Sequence, residues 1–282
     1  MPGEIVSTAW LAEHLADAKL RVVDIRGHVL PATEPPPHYF NHYADYLVSH
    51  IPNAVFIDWV HEITDPADPR HAQIAPPERF AAAMGRASIG EDTFVVAYDD
   101  AGGMFAARLW WALNYYGHAQ VAVLDGGWQK WLAEGRPVSA ELPDLAPAVF
   151  TPRRNPAWYR DGAQVLAALG TPTRLLDMRS PEEFRGEASR ALRKGHIPGA
   201  LNQPRRDLLG EDGALLPPDA LREKFAALGI TDETEEVVFY CNAGVSASFG
   251  LLALRVAGIQ TDAAVYDGSW KDWGNDPEKP IE

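Results

Sequence analysis

The chain carries one cysteine and four methionines in 282 residues, and no apolar run approaches the roughly 20 residues that a membrane-spanning helix needs. A single thiol excludes any intramolecular disulfide, and chemistry at that thiol has no resolving partner in the same chain. Positive charge is also scarce: 25 Lys and Arg stand against 39 Asp and Glu, a formal net charge of −14. Nucleic acid and anionic membranes select basic footprints, so neither is expected as a partner. The opening residues MPGEIVSTAW lack a basic segment followed by a hydrophobic one, so no signal peptide or anchor is read there and a cytoplasmic location is expected. An anionic substrate would need a local positive exception. Its candidates, Arg179, Arg185, Arg190, Arg193, Lys194 and Lys271, all lie in the second half, and the ordinary reading of each is a solvated face.

What is present is a chain that matches itself. Leu20-Arg21-Val22-Val23-Asp24-Ile25-Arg26 recurs as Arg174-Leu175-Leu176-Asp177-Met178-Arg179, and His50-Ile51-Pro52 recurs as His196-Ile197-Pro198. Val95-Val96-Ala97-Tyr98-Asp99 then matches Val237-Val238-Phe239-Tyr240-Cys241. Asp125-Gly126-Gly127-Trp128-Gln129-Lys130-Trp131 matches Asp267-Gly268-Ser269-Trp270-Lys271-Asp272-Trp273, with no gap needed from Tyr98 onward. A repeat of this length is a duplicated domain, since solenoid periods run about 20 to 50 residues. Hydrophobic content of 46% supplies a core for each copy. Between the copies, Pro137, Pro143, Pro147, Pro152 and Pro156 punctuate a stretch with little periodicity, which suits an extended connector. The expected division is 1–138, a linker at 139–156, and 157–282.

Within each copy, short β-branched runs alternate with helical stretches. Strands are expected at Arg21–Ile25, Ala54–Ile57, Phe94–Tyr98 and Val121–Leu124, with counterparts in the second copy, and the alternation argues for an α/β fold with a parallel sheet covered on both faces. Phe249, Leu252 and Val256 follow helical spacing before Gly258, as do Phe105, Leu109, Trp110 and Leu113 in the first copy. Both stripes read as core.

Cys241 ends a buried strand and precedes a helix, where backbone N–H groups converge and the helix dipole is positive. That placement favours a thiolate. The loop Cys241-Asn242-Ala243-Gly244-Val245-Ser246 can aim successive N–H groups at one point, with Gly244 allowing the curvature. Ser246 and Ser248 are candidates for capping the helix. In the first copy Asp99 stands at the cysteine's position, followed by Asp100. A negative pair there reads as a helix cap, and that copy is expected to be catalytically silent. His50 and His196 occur in both copies and are read as turn residues. His38 and His42 have i, i+4 spacing, but their Pro-rich setting makes a poor metal site.

Taken together, the Asp-x-Arg strand ends at Asp24 and Asp177, both His-Ile-Pro segments, the Cys241 loop and the Asp-Gly-Ser-Trp segment at Asp267 to Trp270 resemble the tandem-domain rhodanese family, the thiosulfate and 3-mercaptopyruvate sulfurtransferases. The resemblance covers nearly the whole chain. It implies two tandem rhodanese-like domains, the first silent and the second catalytic. It further implies that Cys241 takes a sulfane sulfur from thiosulfate or 3-mercaptopyruvate as a persulfide and passes it to an external acceptor, cyanide or a thiol, with no metal or organic cofactor. By the same resemblance Asn242 to Ser246 form the persulfide-binding loop. The donor is left open: members of the family carry basic residues or Gly-Ser just after the cysteine, where this chain has Asn242 and Ala243. They also carry an arginine where Glu183 precedes Phe184, for which Arg185 is the candidate substitute; Arg179 is the other candidate anion-binding residue, although an arginine just after a strand-end Asp reads first as the structural partner of that carboxylate. Three other classes compete. A Cys-x5-Arg phosphatase needs an arginine where Ala247 stands. A cysteine hydrolase needs a histidine against Cys241, and none follows His196. A non-catalytic binding or regulatory protein is consistent with a scaffold that, in its first copy, dispenses with the cysteine.

Overall fold

The apolar runs that repeat in the sequence become strands that pair in the same order twice. In the computed structural model, which describes residues 3–31, 34–35 and 37–282, the first copy forms β1 (Ile5–Val6), α1 (Thr8–His14), β2 (Leu20–Asp24), β3 (Gly27–Val29), β4 (Tyr39–Asn41) and α2 (Tyr43–Val48). It continues with β5 (Val55–Phe56), α3 (Pro77–Arg86), β6 (Phe94–Tyr98), α4 (Met104–Tyr115), β7 (Val121–Leu124) and α5 (Gly127–Ala133). The second copy contributes β8 (Tyr159–Arg160), α6 (Gly162–Ala168), β9 (Arg174–Asp177), α7 (Pro181–Phe184) and β10 (Leu201–Asn202), then α8 (Pro218–Ala227), β11 (Glu236–Tyr240), α9 (Val245–Val256), β12 (Asp262–Tyr266) and α10 (Ser269–Trp273).

The two five-stranded sheets have the orders β1-β7-β6-β2-β5 and β8-β12-β11-β9-β10, and every neighbouring pair is parallel. Strand side chains alternate between faces, so each sheet needs cover on both. In the first, Val22, Val96, Tyr98, Ala122 and Leu124 gather with Leu11 of α1, Tyr46 of α2 and Trp128 and Trp131 of α5. Their neighbours Val23, Val95 and Ala97 are fully buried as well, and α4 packs on β6 and β7. In the second, Leu175, Val238, Tyr240 and Tyr266 gather with Val165 of α6 and Trp270 and Trp273 of α10, while α9 packs on β11 and β12. Gly250 makes that last approach close: a Cβ there would lie 2.7 Å from both the Met178 sulfur and the Phe239 ring.

The repeated Asp-x-Arg, Tyr and His-Ile-Pro residues have one structural use in both copies. Tyr98 is registered opposite Asp24, and Tyr240 opposite Asp177. Arg26 is ion-paired with Asp24 and Arg179 with Asp177, and the tyrosine hydroxyls accept the N–H groups of Ile51 and Ile197. His50 donates to the Tyr46 carbonyl, and His196 donates to that of Phe184 while stacking on its ring.

The chain divides into two compact units, the first Met1–Ala67, Ile74–Arg154 and Glu211–Ala214, the second Asp68–Gln73, Asn155–Gly210 and Leu215–Glu282. This differs from three consecutive spans. Most of the Pro-rich connector belongs to the first unit, because Ala148 and Arg153 donate their N–H groups to the carbonyls of Gly85 and Tyr116 and Phe150 packs on Phe80. Asp68–Gln73 belongs to the second unit, where Arg70 bridges Asp68 and Asp272 and Gln73 donates to the Asp267 carbonyl. The first unit also holds the β3–β4 hairpin, which the sequence reading did not anticipate. His38 and His42 flank β4 and part company: His38 donates to the Glu34 carbonyl, whereas His42 donates to Asp100 at 2.6 Å. Among the described residues no helix is long and apolar enough to cross a membrane.

Candidate active site

Strand β11 ends in the buried Tyr240, and Cys241 follows as a free thiol that is 4% exposed. Gly244 adopts a left-handed conformation at φ 76°, open to glycine at little cost, and α9 begins directly after it. The loop is therefore shorter than the six residues expected, since Val245 and Ser246 form the first helical turn. No side chain caps this helix. Ser248 instead donates to the Gly244 carbonyl at 2.8 Å, so neither serine performs the capping that the sequence suggested.

The first four N–H groups of a helix have no partner inside it. Among the described residues, the N–H groups of Ala243, Val245, Ser246 and Ala247 have no acceptor, whereas that of Ser248 is taken by the Gly244 carbonyl at 3.1 Å. Uncommitted N–H groups at a strand-to-helix turn are the kind of donors from which an anion nest is built. The loop is fixed from the other side by Ser269, whose hydroxyl accepts the N–H groups of Cys241 and Gly244, both at 3.1 Å, and donates to the Tyr266 carbonyl. Trp270 and Lys271 continue the seam by donating their N–H groups to the carbonyls of Cys241 and Asn242.

The first unit shows what such a nest holds. The Asp99 carboxylate accepts four backbone N–H groups, those of Ala101, Gly103, Phe105 and Ala106, at 2.7–2.9 Å. In the repeat these residues match Ala243, Val245, Ala247 and Ser248. Burial pushes the Asp99 carboxyl above its usual range, and the N–H groups draw it back. Asp100 faces elsewhere, accepting from Gly27 and His42.

The two candidate anion-binding arginines do not reach the nest. Arg179 is buried, donates to both Asp177 oxygens and to the Gly195 carbonyl, and lies over the Trp270 ring. Burial opposes its charge, but the Asp177 carboxylate raises its pKa above the usual guanidinium value. It is the structural partner of that carboxylate. Arg185 turns outward: its side chain is 54% exposed and pairs with Glu187 and Glu182. Glu183 belongs to a capping box on α7 and accepts the Asn242 amide at 2.8 Å, so the position expected to carry a cation instead tethers the loop.

Sequence reasoning missed Ser269. A signal was available in the repeat, where Gly127 occupies the same position: both residues have positive φ, 52° for Gly127 and 51° for Ser269. A serine in a conformation that favours glycine points to a use for its hydroxyl.

The description "Rhodanese-like domain" matches residues 7–134 and again 161–276. The chain is 35% identical to the sulfur carrier protein TtuD of Thermus thermophilus, over 99% of this chain and 96% of that protein. It is 36% identical to thiosulfate sulfurtransferase of Bos taurus, over 95% and 91%, and 35% identical to a probable 3-mercaptopyruvate sulfurtransferase of Pseudomonas aeruginosa, over 99% and 98%. Among solved structures, that of SseA from Escherichia coli, described as a 3-mercaptopyruvate sulfotransferase, superposes with a TM-score of 0.83 at 31% identity, covering 95% of this chain and 99% of that one. With the same fold built twice and the family matched twice along its length, the chain belongs to the rhodanese family as a tandem-domain member.

Proposed function

We propose that the protein is a sulfurtransferase that carries sulfur on Cys241. The Cys241 thiolate attacks the transferable sulfur of an anionic donor, the sulfane sulfur of thiosulfate or the thiol sulfur of 3-mercaptopyruvate. With thiosulfate the S–S bond breaks and sulfite leaves with its electron pair. With 3-mercaptopyruvate the C–S bond breaks and the pair passes into the enolate of pyruvate, which takes up a proton. The resulting persulfide gives its outer sulfur to cyanide or a thiolate, and Cys241 leaves as the thiolate. The acceptor is external because the chain has no second thiol.

One observation supports the reading: the two units place a loop at the same sheet end, and where the first fills it with a carboxylate held by four N–H groups, three of the four matching donors in the second, those of Ala243, Val245 and Ala247, have no acceptor among the described residues and suit an anionic sulfur. A nest of this kind stabilises both thiolate and persulfide anions. The relatives named for thiosulfate and 3-mercaptopyruvate supply the donor class. Two half-reactions through a covalent intermediate, with the first product leaving before the acceptor binds, give ping-pong kinetics. Initial rates measured while donor and cyanide are varied together should give parallel double-reciprocal lines; intersecting lines would contradict release of the first product before the acceptor binds.

A further inference from the structure

The residue that follows the Cys241 nucleophile is held by an acid. Asn242 donates its side-chain amide to the Glu183 carboxylate at 2.8 Å, and both residues are partly buried. Only the NH2 end of an amide can face a carboxylate, so the Asn242 Oδ1 is the end left over; it is buried without a hydrogen-bond donor among the described residues. The other Glu183 oxygen accepts the Ser180 N–H at 3.4 Å. The arginines on either side are committed to other acids, Arg179 to Asp177 and Arg185 to Glu182 and Glu187. Residues 180–187 hold three glutamates against one arginine, so the segment that tethers the loop carries net negative charge. In the repeat Asn242 matches Asp100, whose carboxylate accepts from Gly27 and His42. Each unit therefore sets a carboxylate at this loop position, but in the first it meets a histidine and in the second only a neutral amide.

We propose that Glu183 is a specificity-determining residue that selects the sulfur donor by charge, disfavouring a dianion such as thiosulfate relative to a monoanion such as 3-mercaptopyruvate. The inference rests on the sulfur chemistry proposed for Cys241. The carboxylate stands one hydrogen bond from the side chain next to the nucleophile, and its partly buried setting limits screening by salt. An anion that approaches Cys241 is repelled in proportion to its own charge, so a donor of charge −2 is opposed by twice the energy felt by one of charge −1. Any influence of Glu183 on the ionisation of Cys241 is common to all donors. Its repulsion of the incoming anion is not, and that difference is the selectivity.

Reagents of graded charge test this. Iodoacetamide is neutral, iodoacetate and 3-mercaptopyruvate are monoanions at neutral pH, and thiosulfate is a dianion. Second-order rates of Cys241 modification by each would be measured at pH 7 for the natural protein, Glu183→Gln and Glu183→Ala. Glu183→Gln keeps an oxygen to accept the Asn242 amide, so it removes the charge and leaves the tether. Taken relative to iodoacetamide, Glu183→Gln should speed iodoacetate and 3-mercaptopyruvate by about threefold and thiosulfate by about tenfold, roughly the square that doubled charge requires. All three gains should shrink to within about twofold in 1 M salt, where the screening length is about 3 Å. Glu183→Ala, which also cuts the tether, should show the same order. Equal gains for all four reagents, or gains that persist in 1 M salt, would overturn the proposal. So would a change seen in Glu183→Ala but absent from Glu183→Gln, which would assign the effect to the tether. If the two alkylating reagents follow the predicted order but neither thiosulfate nor 3-mercaptopyruvate loads sulfur on Cys241, the charge selection by Glu183 stands and the sulfurtransferase reading fails.

Discussion

The loop after β6 and the loop after β11 begin from the same sheet position and lead into helices of equal length, yet they handle negative charge in opposite ways. Asp99 brings its own anion, and four N–H groups close on it permanently. In the Cys241 loop three of the four matching donors, those of Ala243, Val245 and Ala247, have no acceptor among the described residues, that of Ser248 is taken by the Gly244 carbonyl, and the loop is fixed by Ser269, a hydroxyl that Gly127 cannot supply. The first arrangement is a folding device and the second suits a transient anion. Two paired positions carry most of that contrast, Asp99 with Cys241 and Gly127 with Ser269.

The largest expected effect breaks the comparison at the nucleophile. Cys241→Ser, which preserves shape, should lower sulfur transfer by at least about a thousandfold, the scale on which loss of a covalent nucleophile acts. Asp99→Ser should leave turnover within about twofold. Equal losses in the two variants, measured by donor-dependent thiocyanate formation, would contradict a single active unit.

Removing the resident anion sharpens the other side. Asp99→Ala leaves four N–H groups without an acceptor, at a cost of about 3 kcal/mol. Native-state hydrogen exchange should show the amides of Ala101, Gly103, Phe105 and Ala106 exchanging about a hundredfold faster, while those of α9 keep their protection. Unchanged protection at the four amides would mean that the carboxylate does not hold the loop.

A smaller effect is expected from Ser269→Gly, which gives the second unit the residue of the first. It relieves the positive φ but strips an acceptor from Cys241 and Gly244, for a net loss of about 1–2 kcal/mol. Donor-dependent turnover should fall about tenfold with the fold intact by circular dichroism. Full activity in this variant would remove Ser269 from the site.

The sequence made the central strands and the contrast of Cys241 with Asp99 legible, because both rest on local pattern and the repeat supplies its own control. Two-residue strands such as β1 and β8 are too short to show a period, and the β3–β4 hairpin lies beside a Pro-rich stretch that masks its alternation. The candidate anion-binding role of the two arginines was decided by burial and neighbours, and for Arg179 the structural reading held. Whether Arg179 faces a ligand or its own Asp177 depends on how deeply the strand end is buried, and Arg185 faces outward because Glu182 and Glu187 bracket it. The Glu183–Asn242 tether and the Ser269 anchor join residues distant in sequence, and no spacing rule reports such pairs.

The most direct test of the account is the mass of the intact protein after incubation with thiosulfate or with 3-mercaptopyruvate, followed by mapping of the peptide that bears the change. The account predicts a gain of one sulfur, about 32 Da, on the peptide containing Cys241 and none in Cys241→Ser. A folded protein that gains no mass with either donor, or gains it on a peptide without Cys241, would contradict it.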